Sequence, residues 1–218
     1  MPISALDEVM SSGEAYRPWN WEKHRDHKEQ PYPYWNTYPG LARLERRHVF
    51  ADFATSPTKG VISAIKWGYP KGGLPGGRWK MFSTTFRSGA FEAKIAELRR
   101  QPDLSAVEII TALNAVQPGI KTASTSKLAY FAGLTAREGQ CMIYDAMVRR
   151  AISVRNDPEF AGLRAMMPVR DLSLDQQQAT YGDYIRGLEA MARRCGTTPV
   201  QVEHWLFSIR QNGAHEIP

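Results

Sequence analysis

Lys127 sits in the segment Thr125-Ser-Lys-Leu-Ala-Tyr-Phe-Ala-Gly133, a cation set against the apolar run Leu128, Ala129, Tyr130, Phe131 and Ala132. Eighteen positions later, Asp145 precedes Ala146, where the pattern starts another helix. Each residue has an ordinary role. Such a lysine lays its methylenes on apolar surface and keeps its ammonium in water. An aspartate in front of a helix caps the first turn, for ~1 kcal/mol. At the starts of two successive helices joined by a short turn, however, the two are placed where they could point into one crevice. An amine beside a carboxylate is what nucleophilic and acid–base chemistry uses.

Other chemistry is hard to build from this sequence. The histidines are His24, His27, His48, His204 and His215, and none has a partner at a zinc-site spacing, so neither metal nor cofactor is expected. The glycine-rich Lys71-Gly-Gly-Leu-Pro-Gly-Gly77 lacks the Lys-Ser/Thr ending of a nucleotide loop, and no Gly-x-Ser-x-Gly elbow occurs.

Helical periodicity begins near Ser88. Phe91, Ile95 and Leu98 form one stripe, ended by Pro102. Ser105 with Glu108 reads as a capping box for a helix that Pro118 and Gly119 stop. A third helix is predicted from about Ser126 to Ala132, closed by Gly133, and a fourth from Ala146 through Val154. A long helix is predicted from about Leu174 to Cys195, stopped by Gly196, and a closing one from Pro199 through Ile209.

The chain before residue 87 reads differently. Tyr16, Trp19, Trp21, Tyr32, Tyr34, Trp35 and Tyr38 alternate with prolines, which predicts an extended arm tacked down by its rings. Between Asp52 and Glu92 no acidic residue occurs, yet Lys59, Lys66, Lys71, Arg78, Lys80 and Arg87 do. Gly and Pro punctuate this basic tract, which predicts loop with at most one short strand. The expected organisation is therefore an irregular N-terminal arm and loop region over 1–87 packed on a helical body over 88–218.

Composition limits the classes. The 218 residues are 43% hydrophobic and 23% charged, which suits a globular domain rather than a disordered chain. A net charge of +6 tilts toward an anionic partner. Two cysteines make no disulfide framework, no secretory signal pattern opens the sequence, and no apolar run approaches the ~20 residues of a membrane span. A cytoplasmic protein without membrane contact is expected.

Ser126-Lys127-Leu128 and Tyr144-Asp145, at their interval, resemble the helix-hairpin-helix DNA glycosylase superfamily and, within it, the prokaryotic 8-oxoguanine DNA glycosylase (OGG-fold) branch. Val202-Glu-His-Trp-Leu-Phe207 is similar to that family's closing helix, and Trp67-Gly-Tyr-Pro-Lys-Gly72 to a loop of the bacterial branch. The resemblance covers roughly residues 60–210. It implies a mainly α fold: a helix-hairpin-helix glycosylase-like body carrying the aromatic- and Pro-rich arm. It further implies that Lys127 attacks C1′ of a damaged nucleoside while Asp145 assists, without metal. The flipped base would lie among Trp67, Gly68, Tyr130, Phe131, Trp205 and Phe207. DNA phosphates would meet Lys59, Lys66, Lys71, Arg78, Lys80 and Lys121.

One departure matters. The family hairpin reads Pro-Gly-Val-Gly-Thr-Lys, whereas here Pro118-Gly-Ile120 is followed by Lys121-Thr-Ala-Ser-Thr-Ser126 before Lys127. A register set by Pro118-Gly-Ile120 would put Ala123 at the lysine position; only the Lys127 register brings the aspartate to the family's distance. The lost glycines and small size favour a second function, a non-catalytic reader of a modified guanine such as a 7-deazaguanine adduct. OGG-fold proteins resembling this one occur in bacterial antiphage systems of the CBASS kind, so a defence-system protein is a candidate partner. A helical adaptor without ligand is the third reading.

Overall fold

Helices dominate the structure, a computed structural model that describes residues 5–17, 21, 38, 40–71, 85, 88–117, 120–166 and 174–209. The chain opens with α1 (Leu6–Ser11), then pairs β1 (Gly13–Ala15) antiparallel with β2 (Arg43–Glu45), Glu14 opposite Leu44. A side chain at position 13 would meet the Leu44 carbonyl oxygen at 2.3 Å, so only glycine allows this pairing. Tyr16 and Trp21 are buried in the core, as rings that fasten an arm should be, and Tyr38 meets Tyr16 edge-on. Trp19, Tyr32, Tyr34 and Trp35 lie outside the described residues.

The basic tract is not a loop throughout. After β2 come α2 (Arg46–Thr55) and α3 (Pro57–Gly68), packed closely on each other. Punctuation misleads here for two physical reasons. Pro57 stands in the first turn of α3, where a missing N–H costs nothing. Gly60 lies against the Phe53 ring, whose Cγ would be 2.2 Å from any Cβ, so this glycine serves helix contact rather than a turn. Trp67 and Gly68 accordingly end a helix.

The apolar stripe Phe91, Ile95 and Leu98 is buried on α4 (Ala90–Leu98). Ser105 and Glu108 cap α5 (Ala106–Val116) reciprocally, with Ser105 N–H donating to Glu108 at 2.7 Å. The next helix, α6, runs Thr122–Phe131, starting a turn earlier than the pattern suggested and placing Lys127 mid-helix. A short hairpin, β3 (Thr135–Ala136) with β4 (Gly139–Gln140), leads into the non-helical residues 141–145 and then α7 (Ala146–Val154), whose bounds match the expectation.

After a 3-10 turn over Pro158–Phe160 and the short α8 (Ala161–Met166), the long C-terminal helix arrives in two pieces, α9 (Leu174–Ala179) and α10 (Tyr181–Cys195). The break falls at Thr180. Its hydroxyl bonds the Gln176 carbonyl at 2.7 Å and the Tyr144 hydroxyl at 3.1 Å, a tertiary contact that periodicity does not register. Gly196, left-handed at φ 62°, stops α10. Thr198 and Gln201 then cap α11 (Pro199–Ser208), with Pro199 in its first turn.

The core is continuous from Tyr16 to Leu206, and α3 packs against α6 while α11 packs against α7 and α10. Residues before and after position 87 therefore share one interior. Among the described residues, no helix is long and apolar enough to cross a membrane.

Candidate active site

Most of α6 is buried although half its residues are polar. Short hydroxyls make this tolerable by bonding back to the helix: Thr125 Oγ1 donates to Thr122 O at 3.3 Å and Ser126 Oγ to Ala123 O at 3.3 Å. Such a stretch of Ser and Thr reads as a poor helix former, which is why the sequence starts the helix late. Lys127 points back along the helix, as long side chains do. Its Nζ donates to Ala123 O at 3.4 Å and to Asp145 Oδ2 at 3.1 Å.

Asp145 arrives from the other side on residues 141–145, which α10 and α6 grip by hydrogen bonds. Tyr181 Oη donates to Met142 O at 2.7 Å and accepts from Met142 N–H at 3.0 Å. Tyr184 Oη donates to Ile143 O at 2.7 Å, and Tyr144 N–H donates to Ser126 Oγ at 3.0 Å. The Tyr144 and Tyr184 rings stack at 4.6 Å. This clamp was not legible in the sequence, since it joins residues up to 41 positions apart through single hydroxyls.

Asp145 does two jobs with its two oxygens. Oδ1 accepts from the amides of Met147 and Val148 at 3.0 and 3.2 Å, capping α7, while Oδ2 faces Lys127. Burial works against its charge, but the Lys127 ammonium and the two amides outweigh burial and hold the carboxyl below its ordinary value. The lysine and aspartate side chains keep 11% and 14% exposure, enough for a ligand to reach both.

They form part of the lining of a cleft of about 410 Å³, within the ~300–1,000 Å³ common for small-molecule sites. Of the predicted residues, Trp67, Gly68 and Phe207 line it with Lys127 and Asp145, and Lys71 stands there too. Tyr69, Pro70 and Met147 are the other described residues of the lining. Met147 had a signal in its place in the first turn after Asp145; Tyr69 and Pro70 had theirs in adjoining Gly68.

Other predicted residues lie elsewhere. Tyr130 is buried and its hydroxyl accepts from Arg46 at 3.1 Å, so its ring belongs to the core and not to the cleft lining. Phe131 stands behind Trp67, edge-on at 5.3 Å. Trp205 is half-buried against the core beneath the Arg155 guanidinium, which lies 4.1 Å from its ring centre, and is not among the residues that line the cleft. Helical spacing identifies rings near Lys127 but not the side of the wall on which each lies.

The predicted phosphate contacts divide similarly. Lys66 is 1% exposed and faces Tyr38 and Asp52, a placement that removes it from any phosphate. Lys59 bonds Asp52 at 2.7 Å. Lys121 is exposed at the N-cap of α6, and Arg78 and Lys80 lie outside the described residues. Among the described residues, no group of three or more His, Cys, Asp or Glu side chains is arranged to hold a metal ion.

Behind the cleft lies a second ion pair that the sequence did not suggest. Arg46, the first residue of α2, meets Glu203 of α11 at 2.7 Å with both side chains inaccessible. Burial pushes Glu203 upward despite Arg46; burial likewise pulls Arg46 down, but Glu203 and Tyr130 together outweigh it and hold Arg46 above its ordinary value.

No curated protein and no solved structure matches the chain. A family model, described as "Putative 8-oxoguanine DNA glycosylase OGG-like protein", matches residues 7–207, from α1 to α11 and across every element that builds the cleft. The chain therefore belongs to the OGG-like 8-oxoguanine DNA glycosylase family.

Proposed function

We propose that the protein is an N-glycosylase acting on an oxidised guanine in DNA, with Lys127 as nucleophile and Asp145 as its electrostatic partner. The observation that carries this reading is the 3.1 Å Lys127–Asp145 contact at a ring-walled cleft. Family membership supports a glycosylase-like function in general.

The target nucleotide leaves the stack and enters the cleft between Trp67 and Phe207. Lys127 Nζ gives up one ammonium proton and its lone pair forms a bond to C1′ as the N-glycosidic bond breaks; that bond's electrons leave on the base, which takes up the released proton. Asp145 faces the positive charge building on the sugar. Opening of the sugar ring gives a Schiff base. Loss of a C2′ proton then expels the 3′ phosphate through cleavage of the C3′–O bond. Lys71 at the cleft and exposed Lys121 are the proposed phosphate contacts.

Borohydride trapping on an 8-oxoguanine duplex tests the reading. A covalent adduct with the native protein, lost in Lys127→Gln, is expected; no adduct, or an undiminished one in the variant, overturns it. Binding that weakens with salt, by a slope of about −0.9 per phosphate contact, would accompany it.

A second reading is a reader of a modified guanine, such as a 7-deazaguanine adduct on nucleic acid or protein within an antiphage system. What favours it is that Thr122–Ser126, where the family hairpin continues through glycine, is mostly buried helix. Affinity for free guanine analogues without affinity for duplex DNA would select it.

A further inference from the structure

We infer that the buried Arg46–Glu203 pair is a positioning device for Trp67, holding the ring that contacts the base through the guanidinium that lies over it. This rests on the reading of the cleft as a base pocket.

Trp67 lines the cleft, yet among the described residues its indole N–H has no hydrogen-bond acceptor. No polar bond to a described residue fixes the ring, so its orientation depends on what lies against it. Among the described residues, the rings and cations against it are Phe131, edge-on at 5.3 Å, Lys127 Nζ, 5.9 Å from the ring centre, and Arg46, with its guanidinium carbon at 5.5 Å. Of these, the lysine is the reacting group and must move toward a sugar. That leaves Arg46 and Phe131 as the fixed supports.

Arg46 is itself held from three sides. Glu203 binds Nη2 at 2.7 Å, Tyr130 accepts from Nη1 at 3.1 Å, and the Tyr130 ring lies 5.2 Å from the guanidinium carbon. A planar cation so confined presents its face to aromatic neighbours, which an ammonium on a flexible stem does not. A buried ion pair is weak evidence of stability by itself, since apolar residues often replace one without loss. Its position, joining the first turn of α2 to α11 directly behind the cleft ring, gives it another use.

The decisive variant is Arg46→Lys, which keeps a cation opposite Glu203 but removes the flat guanidinium; Glu203→Gln, which frees Arg46 to rotate, is the second. Two rates are compared: single-turnover release of 8-oxoguanine from duplex DNA, and borohydride trapping on DNA carrying a preformed abasic site, where no base occupies the cleft. The expected result is a fall of about tenfold or more in base release, with abasic-site trapping within about twofold of native in either variant that folds. A tenfold fall corresponds to ~1.4 kcal/mol, the scale of a weakened base–aromatic contact. Equal losses in both assays, or none in either, overturn the inference. If the native protein traps no abasic site at all, the glycosylase reading fails instead.

Discussion

Gly68 lies against the methylenes of Lys127: a Cβ at that position would stand 3.2 Å from Lys127 Cδ and 3.6 Å from Cε. The last turn of α3 thus forms a stop for the lysine arm, and the glycine leaves room for the amine to reach Asp145. Gly68→Val is expected to displace Nζ and cut base excision by up to about a hundredfold, the scale of a 1 Å misplacement. Single-turnover kinetics beside a thermal melt check this; unchanged excision in a folded variant would show that the contact does not set the lysine's position.

Asp145→Asn and Asp145→Ala separate its two roles. Asparagine caps helices about as well as aspartate, so Asp145→Ala should lie about 1 kcal/mol below Asp145→Asn in urea unfolding. Both should lose excision, because neither faces the sugar with a negative charge. The folded carboxyl lies below its unfolded value of 3.8, so its stabilising contribution is fully present above that pH and is lost as pH falls through the folded value. The stability gap between native and Asp145→Asn should therefore be flat near neutrality and close in acid.

The clamp on residues 141–145 predicts a graded effect. Ser126→Ala leaves the Tyr144 N–H buried without an acceptor, at a cost of about 1–3 kcal/mol. Tyr184→Phe removes the bond to Ile143 O, for about 1 kcal/mol. Hydrogen exchange at these amides should speed up in both variants while distant α4 is unaffected.

Lys66 carries a pH signature. Burial, opposed by Asp52, lowers its pKa from 10.5 to about 7. Between those values the unfolded chain binds more protons, so this group makes stability rise with pH over that window and imposes its full cost below about 7. Lys66→Met should be more stable than native at pH 7 and below, by about 1 kcal/mol or more, with the difference vanishing toward pH 10.5. Equal unfolding midpoints at pH 6 would contradict it.

Some parts of this protein were legible residue by residue. The capping box of Ser105 and Glu108, the stop at Gly196, the start at Pro199 and the bounds of α7 follow from local backbone demands: which amide needs a partner, which residue tolerates positive φ, where a missing N–H is harmless. The same signals failed at Pro57 and Gly60, where punctuation that usually marks a loop serves a helix start and a close packing contact. They failed again at Thr122–Ser126, whose hydroxyls compete with a helix in isolation but return to its carbonyls once buried.

The candidate site divides along the same line. Lys127 and Asp145 stand out in the sequence because an amine beside an apolar run and a carboxylate before a helix are local features. Which rings wall the cleft is not local: Trp67 and Phe207 line it, while Tyr130 turns to Arg46 and Trp205 to Arg155. The Arg46–Glu203 pair is less visible still, its members separated by most of the chain and each resembling a surface residue. The sequence alone determined most of the helices from α4 onward and singled out Lys127 and Asp145 as candidates, because spacing and capping act over a few residues. Only the tertiary structure decided what surrounds those groups, because burial and ring contact depend on how α2, α3, α6 and α11 pack together.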